Sequence, residues 1–282
     1  MTAVAVRDLH KSYGSFEALR GVSFEIAAGE VFGLLGPNGA GKTTTVEILE
    51  GYRRRDGGSV TVLGVDPEAA GTDWRERVGI VLQSSAMYVN LTVAEHLALF
   101  AGYYQRPRDA SEVIEVVGLG EKRDARVRTL SGGQKRRLDL GLALVGDPEL
   151  LFLDEPTTGF DPVARRAAWD MIRSLRELGK TVLLTTHYLD EAEQLADRVA
   201  VLREGRIAAL GRPSELVATA VTTEIRYRRN GHEMVLRTEE PTRVLHELTA
   251  KALADGRELE GLSVRRPTLE EIYLALTAEE QQ

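Results

Sequence analysis

Cysteine is absent from this 282-residue chain. The absence excludes disulfides and cysteine-ligated metal centres, and it leaves a cytosolic location unopposed. Long apolar runs are missing too. Nothing approaches the roughly 18 uninterrupted apolar residues of a spanning helix, and the opening "MTAVAVRDLHKSYG" lacks the apolar core of a signal peptide. A membrane role is therefore expected to come through a partner. An excess of cations is also lacking: the net charge of −7 argues against dominant nucleic-acid binding, for which a basic domain is the usual footprint. There are no internal repeats and no low-complexity tracts.

Hydrophobic residues make up 43% of the chain and charged residues 28%, a balance that predicts a packed core in one large domain or two ordinary ones. Apolar runs of strand length recur as "VFGLL" (31–35), "VGIVL" (78–82), "LLFL" (150–153), "TVLLTT" (181–186) and "RVAVL" (198–202). Short buried runs between helical segments predict an α/β fold with a largely parallel sheet. The first 26 residues differ. "AVAVRDL" and "ALRGVSFEI" alternate around a Tyr-Gly-Ser turn, as in an antiparallel β subdomain. Residues 86–145 read as a helical insertion. Composition shifts near Val217, which divides the chain into residues 1–218 and a small α/β unit over 219–282. In that unit two alternating runs flank Asn230-Gly231, the preferred type I′ hairpin pair. "PTRVLHELTAKALADG" reads as a helix ending at Gly256 and "GLSVRRP" as a short strand. Thr268 with Glu271 forms a capping box opening a last helix.

The stretch "GLLGPNGAGKTTTVEIL" carries Gly36, four residues, then Gly41, Lys42 and Thr43. A strand precedes it and an apolar-periodic helix follows, the context that a P-loop requires. In such a loop the backbone N–H groups of Gly36, Pro37, Asn38, Gly39, Ala40 and Gly41 (proline excepted) curl into a nest for phosphate oxygens. The following helix, with Thr43 and Thr44 in its first turn, adds its dipole. Lys42 can reach the β- and γ-phosphates, and the Thr43 hydroxyl can ligate Mg2+. A glycine-rich turn without a ligand is the plainer alternative. "LLFLDE" then places Asp154 and Glu155 at the carboxyl end of a buried strand, where open α/β sheets bind ligands. Asp154 suits Mg2+. Glu155, one residue further out, can orient and deprotonate a water that attacks the γ-phosphate.

"TLSGGQKRRLDLGLALV" (129–145) raises a different question. Ser131 and Gln134 fit a capping box. That box does not explain Gly132 and Gly133, each poor in a helix by about 1 kcal/mol. Nor does it explain Lys135, Arg136 and Arg137 at the positive end of a helix dipole. An anion at the helix N-terminus would explain all of these together.

"LSGGQ", the P-loop and "LLFLDEP" together make residues 3–218 resemble the ATP-binding subunit of an ABC transporter. The resemblance implies a P-loop NTPase core with ATP and Mg2+ as cofactors. It also implies a head-to-tail homodimer in which each ATP lies between one P-loop and the partner's signature loop. Ser131, Gly132, Gly133 and Gln134 would then touch the γ-phosphate held by the other subunit. Tyr13 resembles the aromatic that stacks on adenine, although a plain strand-end tyrosine remains open. Gln83 resembles the glutamine that touches Mg2+ or water and couples to the helical insertion. "TGFDP" resembles the loop whose aspartate, Asp161, contacts the partner; an ordinary N-cap with Pro162 at N1 explains it equally, and Phe160 stands where the family usually has leucine. His187 resembles the switch histidine on the γ-phosphate. With Lys42 and Glu155 it completes the implied catalytic set, and Thr43, Gln83 and Asp154 form the implied Mg2+ set. His10, His96, His232 and His246 fit no motif.

By the same resemblance the chain would sit on the cytoplasmic face of a membrane as a peripheral subunit of a separate permease, docking through residues of about 84–104. "MYVNLTVAEHLALFAGYY" and "PTLEEIYLALT" are similar to segments of bacterial daunorubicin-resistance-type exporter ATPases, which implies export of a drug, antibiotic or other hydrophobic compound. No nucleic-acid partner is expected. Three other readings stay open: an importer or lipid- or polysaccharide-exporting ATPase, a soluble member of the superfamily acting on ribosomes or DNA, and a non-catalytic binding module.

Overall fold

The computed structural model describes residues 1–82, 86–219, 223–229, 232–265 and 271. The chain forms two compact units, Met1–Leu210 and Gly211–Gln282.

The first unit opens with two long strands, β1 (Thr2–Tyr13) and β2 (Phe16–Ala27), paired antiparallel with Val4 opposite Ile26 and Val6 opposite Phe24. β3 (Val31–Leu35) is buried throughout and leads into helix α1 (Lys42–Leu49). β4 (Gly57–Val62) returns to the other side of β1, giving a small sheet of order β2-β1-β4. A short helix α2 (Thr72–Glu76) precedes β5 (Val78–Val81).

The helical insertion comes next, with α3 (Val93–Ala101), α4 (Ala110–Val116) and α5 (Gly132–Leu144). Thr92 and Glu95 form a reciprocal capping box on α3. The chain then alternates β6 (Leu150–Asp154), α6 (Pro162–Glu177), β7 (Thr181–Thr186), α7 (Leu189–Leu195), β8 (Arg198–Arg203) and β9 (Arg206–Gly211). The large sheet runs β5-β6-β7-β3-β8-β9, and the pairs from β5 to β8 are parallel.

Both faces of this sheet are covered, which is why its strands read as unbroken apolar runs. Phe32, Leu34, Leu150, Phe152 and Leu183 pack towards the antiparallel sheet, where Phe24 stacks on Phe32 at 5.2 Å. Leu151, Leu153, Val182 and Leu184 pack the other way, in one core with Leu97, Val113 and Leu138 of the helical insertion.

The second unit comprises α8 (Pro213–Thr219), β10 (Thr223–Arg229), β11 (His232–Thr238), α9 (Pro241–Ala254) and β12 (Glu260–Arg265). Its sheet has order β11-β10-β12. Pairing of β10 with β11 runs to Arg229 opposite His232, which leaves the two-residue connection expected at Asn230-Gly231. Those two residues and Thr268 lie outside the described residues. Ile225 and Tyr227 are buried in β10. Glu224 is buried as well, held by guanidinium groups of Arg226, Arg237 and Arg265 at 3.0, 3.2 and 2.8 Å.

One half-buried acid of the first unit sets a testable pH dependence. Glu50 caps the carboxyl end of α1. Burial, then the nearby carboxylates of Asp154 and Glu47, push its pKa from 4.5 up to about 8. The folded chain thus holds a proton that the unfolded chain has lost, so stability falls as pH rises from 4.5 to about 8. We expect Glu50→Gln to raise the unfolding midpoint at a pH of about 9, by roughly 2–4 °C per kcal/mol of relieved penalty, and to leave it unchanged at a pH of about 4. Thermal denaturation of both proteins at the two pH values checks this; an equal offset at both would contradict it.

Candidate active site

The loop between β3 and α1 has the backbone that a phosphate cradle needs. Gly39 and Gly41 have φ of +83° and +107°, in the left-handed region. At Gly41 a Cβ would fall 2.7 Å from Leu19 Cδ2 and 2.8 Å from the Ala18 carbonyl oxygen, so no larger residue fits. Gly41 caps α1 without any side-chain hydrogen bond, which leaves the first N–H groups of the helix available to an anion.

Lys42 is only 6% exposed. Its ammonium donates to the carbonyl oxygens of Gly36 at 2.7 Å and Pro37 at 3.2 Å. Burial pulls the Lys42 pKa below the ordinary lysine value, and the carboxylates of Glu155 and Asp154 oppose the shift. The Tyr13 hydroxyl lies 3.5 Å from Thr44 Oγ1, and the Arg53 guanidinium sits 5.2 Å over the Tyr13 ring. A hollow of about 210 Å³ runs from Tyr13 along the loop to Glu155; Pro37, Asn38, Gly39, Gly41, Lys42, Thr43 and Thr44 are in its wall, and Gly36 and Ala40 are not.

The carboxylates are set by their neighbour strand. Asp154 ends β6 opposite Thr185 of β7. The Thr185 hydroxyl accepts from the Glu155 N–H at 3.0 Å and donates to Asp154 Oδ1 at 2.5 Å. Glu155 has φ +44°, a left-handed backbone in a non-glycine residue. Such strain costs on the order of 1–3 kcal/mol and concentrates at functional sites. Its side chain is held at both oxygens. Thr158 Oγ1 donates to Oε2 at 3.1 Å, and His187 Nδ1 lies 3.2 Å from Oε1. A carboxylate can only accept, so that nitrogen carries the proton.

Thr43 and Asp154 present hard oxygen donors, the kind that Mg2+ takes. Among the described residues there is no cluster of three or more acidic, histidine or cysteine side chains able to hold an ion unaided. A donor set this sparse fits an ion whose remaining positions are filled by phosphate and water oxygens, the usual mode for Mg2+. Gln83, the third expected ligand, lies outside the described residues.

The signature stretch forms the start of α5. Ser131 Oγ accepts from Gln134 N at 3.3 Å, and Gln134 Oε1 accepts from Ser131 N at 2.9 Å. The capping box therefore accounts for both polar side chains. It leaves the glycines unexplained. Neither has positive φ; nothing lies within 4 Å of a Cβ built on Gly132, and Gly133 would meet only Ala164 Cβ at 3.8 Å. Beside the loop is a second hollow of about 220 Å³, lined by Ser131, Gly133, Gln134, Arg136 and Arg137 and, from the next segment, by Phe160 and Ala164. It shares no lining residue with the P-loop hollow. Asp161 accepts from the N–H groups of Val163 and Ala164, both at 2.9 Å, as the N-cap of α6.

The expectation that one anion explains all three cations of α5 needs correction. Arg136 turns inward and donates to the carbonyl oxygens of Leu82, Asp154 (2.9 Å) and Pro156 (3.2 Å). Arg137 donates to Gly118 O at 3.3 Å. Backbone carbonyls of the same chain thus offset the unfavourable helix dipole for two of the three.

Sequence reasoning missed Thr185 and Thr158, and gave Arg136 a different role. For Thr185 a signal existed: "TVLLTT" closes a buried strand with two hydroxyls, and a hydroxyl there needs a partner.

A family model described as ABC transporter matches residues 19–158. The Nod factor export ATP-binding protein I of Rhizobium meliloti (strain 1021) is 41% identical over 298 residues, covering 99% of this chain and 89% of that protein. The daunorubicin/doxorubicin resistance ATP-binding protein DrrA of Streptomyces peucetius is 39% identical over 308 residues, covering 98% and 92%. A solved ATP-binding subunit of an ABC transporter superposes with a TM-score of 0.71 at 25% identity, covering 98% of this chain and 99% of that one. Such likeness extends along almost the whole chain and includes the segments that build the phosphate cradle and the carboxylate pair: the chain belongs to the ABC transporter family, as an ATP-binding and ATP-hydrolysing subunit.

Proposed function

We propose that this subunit drives export of a drug, antibiotic or other hydrophobic compound through a separate membrane permease, and that it works as a head-to-tail homodimer. The observation that supports the chemistry best is the P-loop hollow with Glu155 in its wall. In-line attack of water on the γ-phosphorus forms a new P–O bond and breaks the bond to the β-phosphate, largely by positioning and charge neutralisation. Lys42 and the N–H groups of the loop neutralise the phosphates. Glu155 takes the proton of the attacking water, while His187 and Thr158 fix its carboxylate. Thr43, Asp154 and Gln83 would hold Mg2+, which when bound supplies further neutralisation of the β- and γ-phosphates. Tyr13 offers its ring to adenine.

The homodimer draws support from the second hollow. The N–H groups of Gly132 and Gly133 find no acceptor among the described residues, and no intrachain packing requires glycine at either position. A γ-phosphate bound by another copy supplies the missing acceptor and the reason for absent side chains. Phe160 lines the same hollow, and Asp161 follows it as the N-cap of α6.

Export rests on the relatives, whose names concern Nod factor export and daunorubicin or doxorubicin resistance. No helix of the described residues is long and apolar enough to cross a membrane. For docking we favour the start of the helical insertion. There Tyr88, His96, Phe100 and Tyr103 form a chain of ring contacts at 5.3–5.8 Å, with Tyr88 and Tyr103 exposed. In this reading the first compact unit, Met1–Leu210, is the ATP-binding engine, and Gly211–Gln282, which includes α8, is an accessory unit.

Two experiments test these proposals. Glu155→Gln is expected to lower ATP turnover by roughly 10²–10⁴, the range for a general base, with ATP binding retained; turnover near the parent value would remove Glu155 from that role. Affinity purification from detergent-solubilised host membranes with ATP present should bring down a multi-span protein, identified by mass spectrometry. Reproducible recovery of soluble partners alone, with an active ATPase, would overturn the transport reading.

A further inference from the structure

Arg136 joins three separate pieces of the first unit. It lies in the second turn of α5, and its side chain is 11% exposed. Its guanidinium Nη1 donates to the carbonyl of Leu82, the last described residue before Gln83. Nη2 donates to the carbonyl of Asp154 at 2.9 Å, and Nε to that of Pro156 at 3.2 Å. Those last two carbonyls flank Glu155 on either side. The peptide between Asp154 and Glu155 is thereby gripped at both edges, its oxygen by Arg136 and its N–H by the Thr185 hydroxyl. Pro156 adds a φ locked by its ring. Between the two gripped points lies Glu155 with its φ of +44°. A left-handed glutamate persists only where its surroundings over-determine it, and the fork of Arg136 is one of the groups that do so.

Arginine suits this task better than lysine. One planar group with five N–H donors can reach three carbonyls of fixed geometry, which the single ammonium of lysine cannot match. A buried cation without such acceptors would be costly; here Asp139, one turn along α5, adds a counter-charge at 3.9 Å.

We infer that Arg136 is a positioning residue for hydrolysis: it ties the backbone of Glu155 to the signature helix and to the exit of β5. The inference rests on Glu155 as the base proposed above. Gly132 and Arg136 are four residues apart on α5, about 6 Å of helix rise. The same short helix that offers its N-terminus to the partner's nucleotide therefore holds, through Arg136, the glutamate that serves the chain's own nucleotide. A shift of α5 reaches Glu155 through two carbonyls.

The test is a double-mutant cycle in the full chain with Arg136→Lys, Glu155→Gln and the combined variant, measuring turnover, affinity for a non-hydrolysable ATP analogue, and the unfolding midpoint. Arg136→Lys is expected to lower turnover by roughly 10- to 100-fold, the scale of a 1 Å misplacement, while analogue affinity stays within about twofold and the midpoint within a few degrees. In the Glu155→Gln background it should cause no further loss, because residues acting as one unit are not additive. Losses that multiply in the combined variant, or weakened analogue binding with turnover kept, would overturn the inference. If Arg136→Lys does not fold, Arg136→Gln, which keeps one donor group and no charge, is expected to give the same split. The two proposals fail separately. Parent-like turnover of Glu155→Gln alone removes the base, whereas a slow Glu155→Gln beside a parent-like Arg136→Lys removes only the positioning role.

Discussion

A sheet buried on both faces can offer its residues to a ligand only where its strands stop. β3, β6 and β7 are covered by the antiparallel sheet on one side and by helices on the other. The site is assembled at the carboxyl ends of these three strands: the phosphate loop after β3, Asp154 and Glu155 at β6, and His187 after β7. The order β6-β7-β3 sets these exits side by side. Because the pairing is parallel, all of them open at the same edge, where ligands of open α/β sheets bind. The spatial register then does the fine placement. Asp154 stands opposite Thr185, and that one threonine hydroxyl orients the first carboxylate while receiving the N–H of the second.

Much of this was legible in the sequence, and the legible part has a common character. The phosphate loop, the carboxylate pair at a strand end and the serine–glutamine capping box are each contained in one short segment, so spacing alone carries them. Thr185 and Arg136 are different. Thr185 acts on residues 30 and 31 positions away through strand pairing, and Arg136 acts on carbonyls 18, 20 and 54 positions away. A window of sequence shows neither the pairing nor the burial that turns a surface-looking arginine inward. The run of three cations on α5 was therefore open to a simpler explanation by a bound anion, whereas Arg136 is held by three carbonyls of its own chain and Arg137 by one. The glycines of the same loop are the reverse case. Their oddity is visible in the sequence and persists in the fold, where the space around Gly132 is open.

That open space is what the proposed divided site would need. One hollow carries the phosphate loop and Glu155; the other carries the signature loop and Phe160, and the two have no wall in common. In the proposed homodimer each would be half of a site. Two copies packed head to tail would make two complete sites, each closing over one nucleotide, and hydrolysis of the bridging phosphate would release the pair. In that proposal Arg136 would add a mechanical reason for the halves to work together, since the helix offered to one nucleotide would hold the base for the other.

The absence of native cysteine makes the most direct measurement straightforward. One chain would carry Asn38→Cys and another Ser131→Cys, both with Glu155→Gln so that ATP persists. After mixing and mild oxidation, disulfide-linked heterodimer is counted on a non-reducing gel. Head-to-tail packing predicts a crosslink that forms with ATP and is lost with ADP, because only the γ-phosphate brings one chain's P-loop against the other's signature loop. No crosslink with ATP, or equal crosslinking with ATP, with ADP and without nucleotide, would contradict it.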